Sequence, residues 1–171
     1  MYLPWIGIFS LIMASAGSAA AALPQSMSFD CNADSGIVTG IDPATLPLST
    51  AISGTVRPVL GRVHPSMSAA ATVKLASQKN FVAIQVAETE PNSGVFEVWA
   101  RNGDSREEER TPLGKIKLND TVSFKLERVG NDVLVTAGNQ AVTIRQLFLG
   151  QPTVGVSCST GQFVFNDIRL K

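Results

Sequence analysis

Hydrophobic and polar residues alternate with a period of two through much of the second half of the chain. From Thr121 to Arg128, Val122, Phe124 and Leu126 share one parity, and Ser123, Lys125 and Glu127 share the other. That is the pattern of a strand buried on one face and wet on the other. Val95 to Arg101 repeats it, with Phe96, Val98 and Ala100 on the apolar parity and Glu97, Trp99 and Arg101 on the polar one. Between Thr153 and Cys158 the inward set is Val154, Val156 and Cys158. No stretch carries a helical period, and turn residues recur at short intervals, so the chain is predicted to be mainly β.

The turn signals join these strands into hairpins. Phe81 to Glu88 and Val95 to Arg101 flank Glu90-Pro91-Asn92-Ser93-Gly94, where proline suits a type I turn and glycine the left-handed position after it. Thr121 to Arg128 and Asp132 to Ala137 meet through Gly130-Asn131, and Gly138-Asn139 leads on into Ala141 to Arg145. Thr153 to Cys158 and Gln162 to Leu170 are predicted to meet at Ser159-Thr160-Gly161. In the final strand Phe163 and Phe165 are out of phase with Ile168 and Leu170. A bulge at Asn166-Asp167 restores all four to one side, because one extra residue flips the register. The segment from Asn32 to Ser53, rich in Asp, Gly, Pro, Ser and Thr, reads as loops around a short strand at Gly36 to Ile41.

The chain before Asp30 carries no charged side chain. Ile6 to Ala14 is an apolar run of signal-peptide length, followed by small-residue cleavage sites at Ala14-Ser15-Ala16 and Ala20-Ala21-Ala22. Residues 1–22 are therefore read as a secretory signal and residues 23–171 as a single domain, with an uncleaved anchor over Leu3 to Leu23 as the alternative. Ser28-Phe29-Asp30 before Cys31 is not a lipobox, which argues against lipid anchoring. Export places the protein in an oxidising compartment, secreted or periplasmic. There the only two cysteines, Cys31 and Cys158, are expected to form a disulfide. A closed loop of about 130 residues restricts the unfolded chain by about 4 to 5 kcal/mol in the chain-entropy picture. That bridge brings the C-terminal strand beside the first strand, Met27 to Cys31.

The 171 residues are 44% hydrophobic, enough for one core, and fourteen basic residues balance fourteen acidic ones along the chain. No basic face argues for nucleic acid, and no membrane contact is expected once the signal is removed.

From about Ile52 to Lys171 the chain resembles the concanavalin A-like lectin/glucanase superfamily, the jelly-roll group that includes laminin G-like domains. The resemblance lies in the hairpin VSFKLERVGNDVLVTAGNQ, the stretch LFLGQPTVGVSCSTG and the closing strand FVFNDIRL. It implies an antiparallel two-sheet β-sandwich whose ligands, carbohydrate or protein, bind at a sheet face or at the loops on its rim. Fold alone does not fix function. The glucan-cleaving members resemble one another in an E-x-D-x-E strand motif, which this sequence lacks.

Candidate chemistry is sparse. Glu107 and Glu109 share a parity between Arg106, Glu108 and Arg110, and their spacing suits an acid and a nucleophile in principle. The alternating arginines favour a solvated, self-compensating edge strand instead. Glu88 and Glu90 flank a hairpin turn and read as rim charges. His64, the only histidine, precedes a proline in a loop, and no nucleophile elbow surrounds any serine. The residues offer no transition-metal set. Calcium held by Asn102, Asp104 or Asp132 stays open.

Trp99, the only tryptophan after the signal, falls on the polar parity with Glu97 and Arg101, and the hairpin register sets Gln85 or Ala87 opposite it. An indole ringed by such groups suits the C–H face and hydroxyls of a sugar. The alternatives are that the segment Asp30 to Ser53 covers this face, or that Trp99 joins the core. The expected function is a secreted or periplasmic, non-catalytic binding module that recognises glycan through Gln85, Glu97, Trp99 and Arg101. An envelope structural or protein-interaction domain is the second reading, and a polysaccharide hydrolase or lyase the third.

Overall fold

A computed structural model describes residues 26–104, 107–146, 148 and 150–171, so the predicted signal, residues 1–22, lies outside the described residues. Ten strands follow one another: β1 (Met27–Ile41), β2 (Ala51–Gly61), β3 (Ala70–Ala76), β4 (Phe81–Glu88), β5 (Val95–Gly103), β6 (Glu108–Lys117), β7 (Val122–Val129), β8 (Asp132–Ala137), β9 (Gln140–Arg145) and β10 (Thr153–Leu170). Every pairing is antiparallel. Among the described residues the one helical piece is a 3-10 turn at Pro43–Thr45, where the Asp42 carboxylate accepts from the Ala44 N–H at 2.9 Å.

The strand path runs β6-β5-β4-β3-β10-β2-β7-β8-β9, with β1 beside β10. It folds into two layers because β10 serves both. Its first half, Thr153 to Ser159, pairs with β3 and completes a front sheet with β4, β5 and β6. Its second half, Gly161 to Leu170, pairs with β2 and completes a back sheet with β7, β8 and β9. β1 makes the same change of sheet, antiparallel to β10. Its Met27–Ala33 portion pairs with the back half of β10 and its Val38–Ile41 portion with the front half, with an irregularity between Ala33 and Val38. The result is the all-β, antiparallel jelly-roll sandwich with adjacent N- and C-terminal strands that the resemblance implies.

Two expectations are corrected here. Ser159-Thr160-Gly161 is not a hairpin turn, since the two halves of β10 pair with different strands and never with each other. Turn-type residues are needed there for the change of sheet. Thr160 is left-handed (φ 49°), and a Cβ on Gly161 would lie 2.5 Å from the Leu60 carbonyl oxygen. The segment from Asn32 is loop only in part: the expected short strand appears as the Val38–Ile41 portion of β1, Asn32 and Ala33 also pair with β10, and the break falls between Ala33 and Val38, where Gly36 takes a φ of 77°.

The expected bulge is present. The ladder to β2 shifts between Asn166 and Arg169, and Asp167 takes a φ of 53°. Phe163, Phe165 and Ile168 are consequently all buried, with Leu170 packed against the same core. The core lies between the layers. Phe96 of the front sheet meets Phe163 of the back sheet edge-on, with ring centroids 5.9 Å apart. The Cys31–Cys158 disulfide closes a separation of 127 residues with a Cα–Cα distance of 6.0 Å. It joins the back portion of β1 to the front half of β10, and both cysteines are buried.

Candidate functional site

The outward residues of the front sheet fall into rows that run across the strands, set by the ladder register. One row reads Pro112 (β6), Trp99 (β5), Gln85 (β4), Thr72 (β3), Ser157 (β10) and Gly40 (β1). Trp99 is thus directly opposite Gln85, on the face shared with Glu97 and Arg101. It is half-buried, while Phe96, Val98 and Ala100 beneath it are buried. A bulge sharpens this placement. β6 offers an extra residue between Val98 and Trp99, and Leu113 turns into the core while Pro112 comes beside the indole. The segment Asp30 to Ser53 does not lie over Trp99, because β1 joins the opposite side of the sheet, beyond β4, β3 and β10.

Across the face from Trp99 lies a groove of about 390 Å³ that includes Val38, Gly40, Asp42, Lys74, Gly155 and Ser157. At Gly40 glycine is required for a steric reason, since a Cβ there would stand 2.5 Å from the Val156 carbonyl oxygen, while Gly155 lies beneath the Lys74 side chain. Between groove and indole the Gln85 amide donates to the Thr72 hydroxyl at 3.5 Å. At about 4.8 Å per strand, the row from Trp99 to Ser157 measures about 14 Å, the length of a short oligosaccharide.

The charged residues around Trp99 are held in ion pairs. Arg101 donates to both Glu108 carboxylate oxygens, at 2.9 and 2.5 Å, and the Arg110 Nε donates to Glu108 Oε1 at 2.8 Å. The hydrogen bonds from Arg101 first, and then Arg110, hold the Glu108 carboxyl below its ordinary range against an opposing effect of burial. Glu97 pairs with Lys115 at 2.8 Å.

Several sequence candidates fall elsewhere. Glu107 and Glu109 both border a second cavity of about 330 Å³, with Asn80, Asn102, Asp104 and Gln146. Glu108 points the other way, toward Arg101, and β6 is the edge strand expected of this segment. Arg106 lies outside the described residues. Asp132 is on the back sheet, 3.6 Å from Arg145, so it does not join Asn102 and Asp104 as a calcium set. Among the described residues no three His, Cys, Asp or Glu side chains are grouped to hold a metal ion. Glu90 is exposed, but Glu88 is not a rim charge. It is only 6% exposed, and its carboxylate accepts from the Gly94 N–H at 3.1 Å. The strand parity that turns Val82, Ile84 and Val86 inward carries Glu88 in with them. His64 sits after β2, its Nδ1 accepting from the Ser66 N–H at 3.3 Å.

Sequence reasoning missed Thr72, Lys74 and the glycine floor, since they come from β1, β3 and β10. A signal was present for two of them. Thr72 and Lys74 alternate with Ala71, Val73 and Leu75, the same period that exposed Trp99.

No protein-family model matches the sequence, and no curated protein matches it by sequence. Solved structures do match. The alginate lyase from Alteromonas sp. 272 is 17% identical with a TM-score of 0.44, the match covering 70% of this chain and 52%, about half, of that one. Carbohydrate-binding module CBM66 from Bacillus subtilis is 12% identical with a TM-score of 0.48 over 81% of this chain and 83% of that one. The Caenorhabditis elegans galectin LEC-6 is 9% identical with a TM-score of 0.49 over 83% and 95%. These matches assign this chain no role, and the jelly-roll architecture stands on the strand register itself.

Proposed function

We propose that this chain is a secreted or periplasmic, non-catalytic carbohydrate-binding module whose ligand lies across the front-sheet strands. The observation that carries the reading is the row formed by Trp99, Gln85, Thr72 and Ser157. It sets one flat apolar surface at the end of a line of hydrogen-bonding side chains, and the line ends at a groove. A sugar chain needs both elements, a ring face to stack and hydroxyls to bond. Gln85 bonds the ligand beside the indole, and Glu97 and Arg101 border it.

Non-catalysis is supported by the ionic partners. A general acid must hold a proton near the working pH, whereas Glu108, beside Arg101, is kept ionised and Glu97 is engaged by Lys115. The disulfide fits an oxidising compartment, and no helix among the described residues is long and apolar enough to cross a membrane.

The test is a glycan-array screen of residues 23–171 beside its Trp99→Ala variant, after circular dichroism shows both folded. Binding that disappears in the variant is the expected result. Absence of binding by the parent protein overturns the reading and moves the face to a protein partner of the cell envelope. Turnover of a bound polysaccharide overturns its non-catalytic part.

A further inference from the structure

Resting on that reading, the geometry points to an anionic glycan as the ligand, its carboxylate or sulfate groups taken by a cationic row beside the Trp99 row. The register places Arg110 opposite Arg101, Arg101 opposite Ala83, Ala83 opposite Lys74, and Lys74 opposite Gly155. Three cations therefore line one crossing of the front sheet. Ala83, between Arg101 and Lys74 in the register, is only 1% exposed, so neighbouring side chains cover it.

Their charge is not cancelled. Arg101 and Arg110 share the single carboxylate of Glu108, which leaves one positive charge between them. Lys74 has no carboxylate partner among the described residues and reaches into the groove from its exposed position in β3. Two other acids lie on this side: Glu97 is paired with Lys115, and Asp42, at the β1 end of the same groove as Lys74, contributes one negative formal charge, so the cations of this side exceed its acids by one. The excess is local, because the whole chain carries a formal net charge of zero. Acidic side chains gather instead around the separate cavity of Asp104, Glu107 and Glu109.

A glycan stacked on Trp99 and bonded along Gln85, Thr72 and Ser157 has one edge along this row. Neutral sugars offer Lys74 only uncharged hydroxyl acceptors, whereas a uronate or sulfate offers it a stronger, charge-assisted hydrogen bond. Arg101 and Arg110 retain guanidinium N–H donors beyond those given to Glu108.

The test uses a panel of uronate-containing and sulfated polysaccharides, each beside its carboxyl-reduced or desulfated form, with binding measured by titration calorimetry. The acidic forms are expected to bind more tightly, and the preference to shrink as sodium chloride is raised. Lys74→Gln should weaken the acidic forms by about tenfold and the neutral ones by much less. Lys125→Gln, which removes a cation from the back sheet, should change neither. Equal binding of acidic and neutral forms, or equal losses in Lys74→Gln and Lys125→Gln, overturns the anionic assignment while leaving the glycan-binding function intact. No binding to any member of the panel, charged or neutral, overturns both.

Discussion

The two sheets share a core and a seam strand, yet their outer faces differ in kind. The front face carries Trp99, a glycine-floored groove and a row of cations. The back face carries polar, aliphatic and cationic side chains, among them Val164, Leu134, Arg57 and Arg169, and some of its polar groups bond to one another. The Gln162 amide donates to Asp30 at 3.0 Å, and Lys125 pairs with Glu127 two residues on at 2.6 Å. Ser53, Thr55 and Thr136 occupy other outward positions, and no aromatic side chain faces outward there among the described residues. Alternation alone makes both faces polar. What separates them is which polar-parity positions hold a large flat side chain and which hold none, so a soluble sheet surface and a recognition surface can share one hydrophobic pattern.

The largest expected effect erases the difference, because it removes the sandwich that both faces rest on. Phe163→Ala empties a fully buried site between the layers and should cost about 3 to 5 kcal/mol in urea unfolding. A loss below about 1 kcal/mol would show that the layers do not depend on this contact. Replacing Cys31 and Cys158 together should cost about 2 to 5 kcal/mol by the same measurement.

Trp99→Ala sharpens the contrast instead. It should remove about 2 kcal/mol or more of glycan-binding energy. Its effect on unfolding should be much smaller than that of Phe163→Ala, because the indole is only half-buried. Comparable losses in both assays would mean that Trp99 is part of the packing rather than of a recognition surface.

Smaller still is an effect of acid, one carboxylate to each face. Glu108 in front and Glu127 behind both titrate below their ordinary value, chiefly through hydrogen bonds from Arg101 and Lys125 respectively. A depressed folded-state value means that the native state gains from ionisation. The contribution is present above the ordinary value of 4.5 and is lost as pH falls through the lower folded one. Glu108→Gln should therefore flatten the acid limb of the thermal-stability profile below about pH 4.5, and Glu127→Gln should flatten it less, since one lysine holds Glu127 where two arginines hold Glu108. The smallest change belongs to Lys125→Ala, expected within about 0.5 kcal/mol and without effect on binding.

Much of this organisation could be read from the residues. Gln85 or Ala87 opposite Trp99, a bulge at Asn166-Asp167 and the cysteine pair all follow from parity and local chemistry, which act over a few residues or, for a disulfide, by elimination; the ladder then selects Gln85. β2 and β3 were not placed. β2 is broken by Gly54 and Arg57-Pro58, and β3 opens on Ala70 and Ala71, too small to advertise a buried face. The error at Ser159-Thr160-Gly161 has a different cause. Reversing direction and changing sheets both call for left-handed or Cβ-free backbone, and only the partner strands decide between them. The groove was illegible for the same reason, because Gly40, Lys74 and Gly155 become neighbours only once β10 lies between β1 and β3.

That seam also sets a timetable for biosynthesis. β10 is the last strand in chain order, and its partners β1, β2 and β3 are the first three. A ribosome must therefore release nine strands before the tenth can join the layers. Until then the apolar faces of both half-built sheets wait for a neighbour many residues away, the arrangement of contacts that folds slowly and tempts aggregation. Helpers that hold the nascent chain open would matter more here than for a sandwich whose two sheets each close on their own sequence.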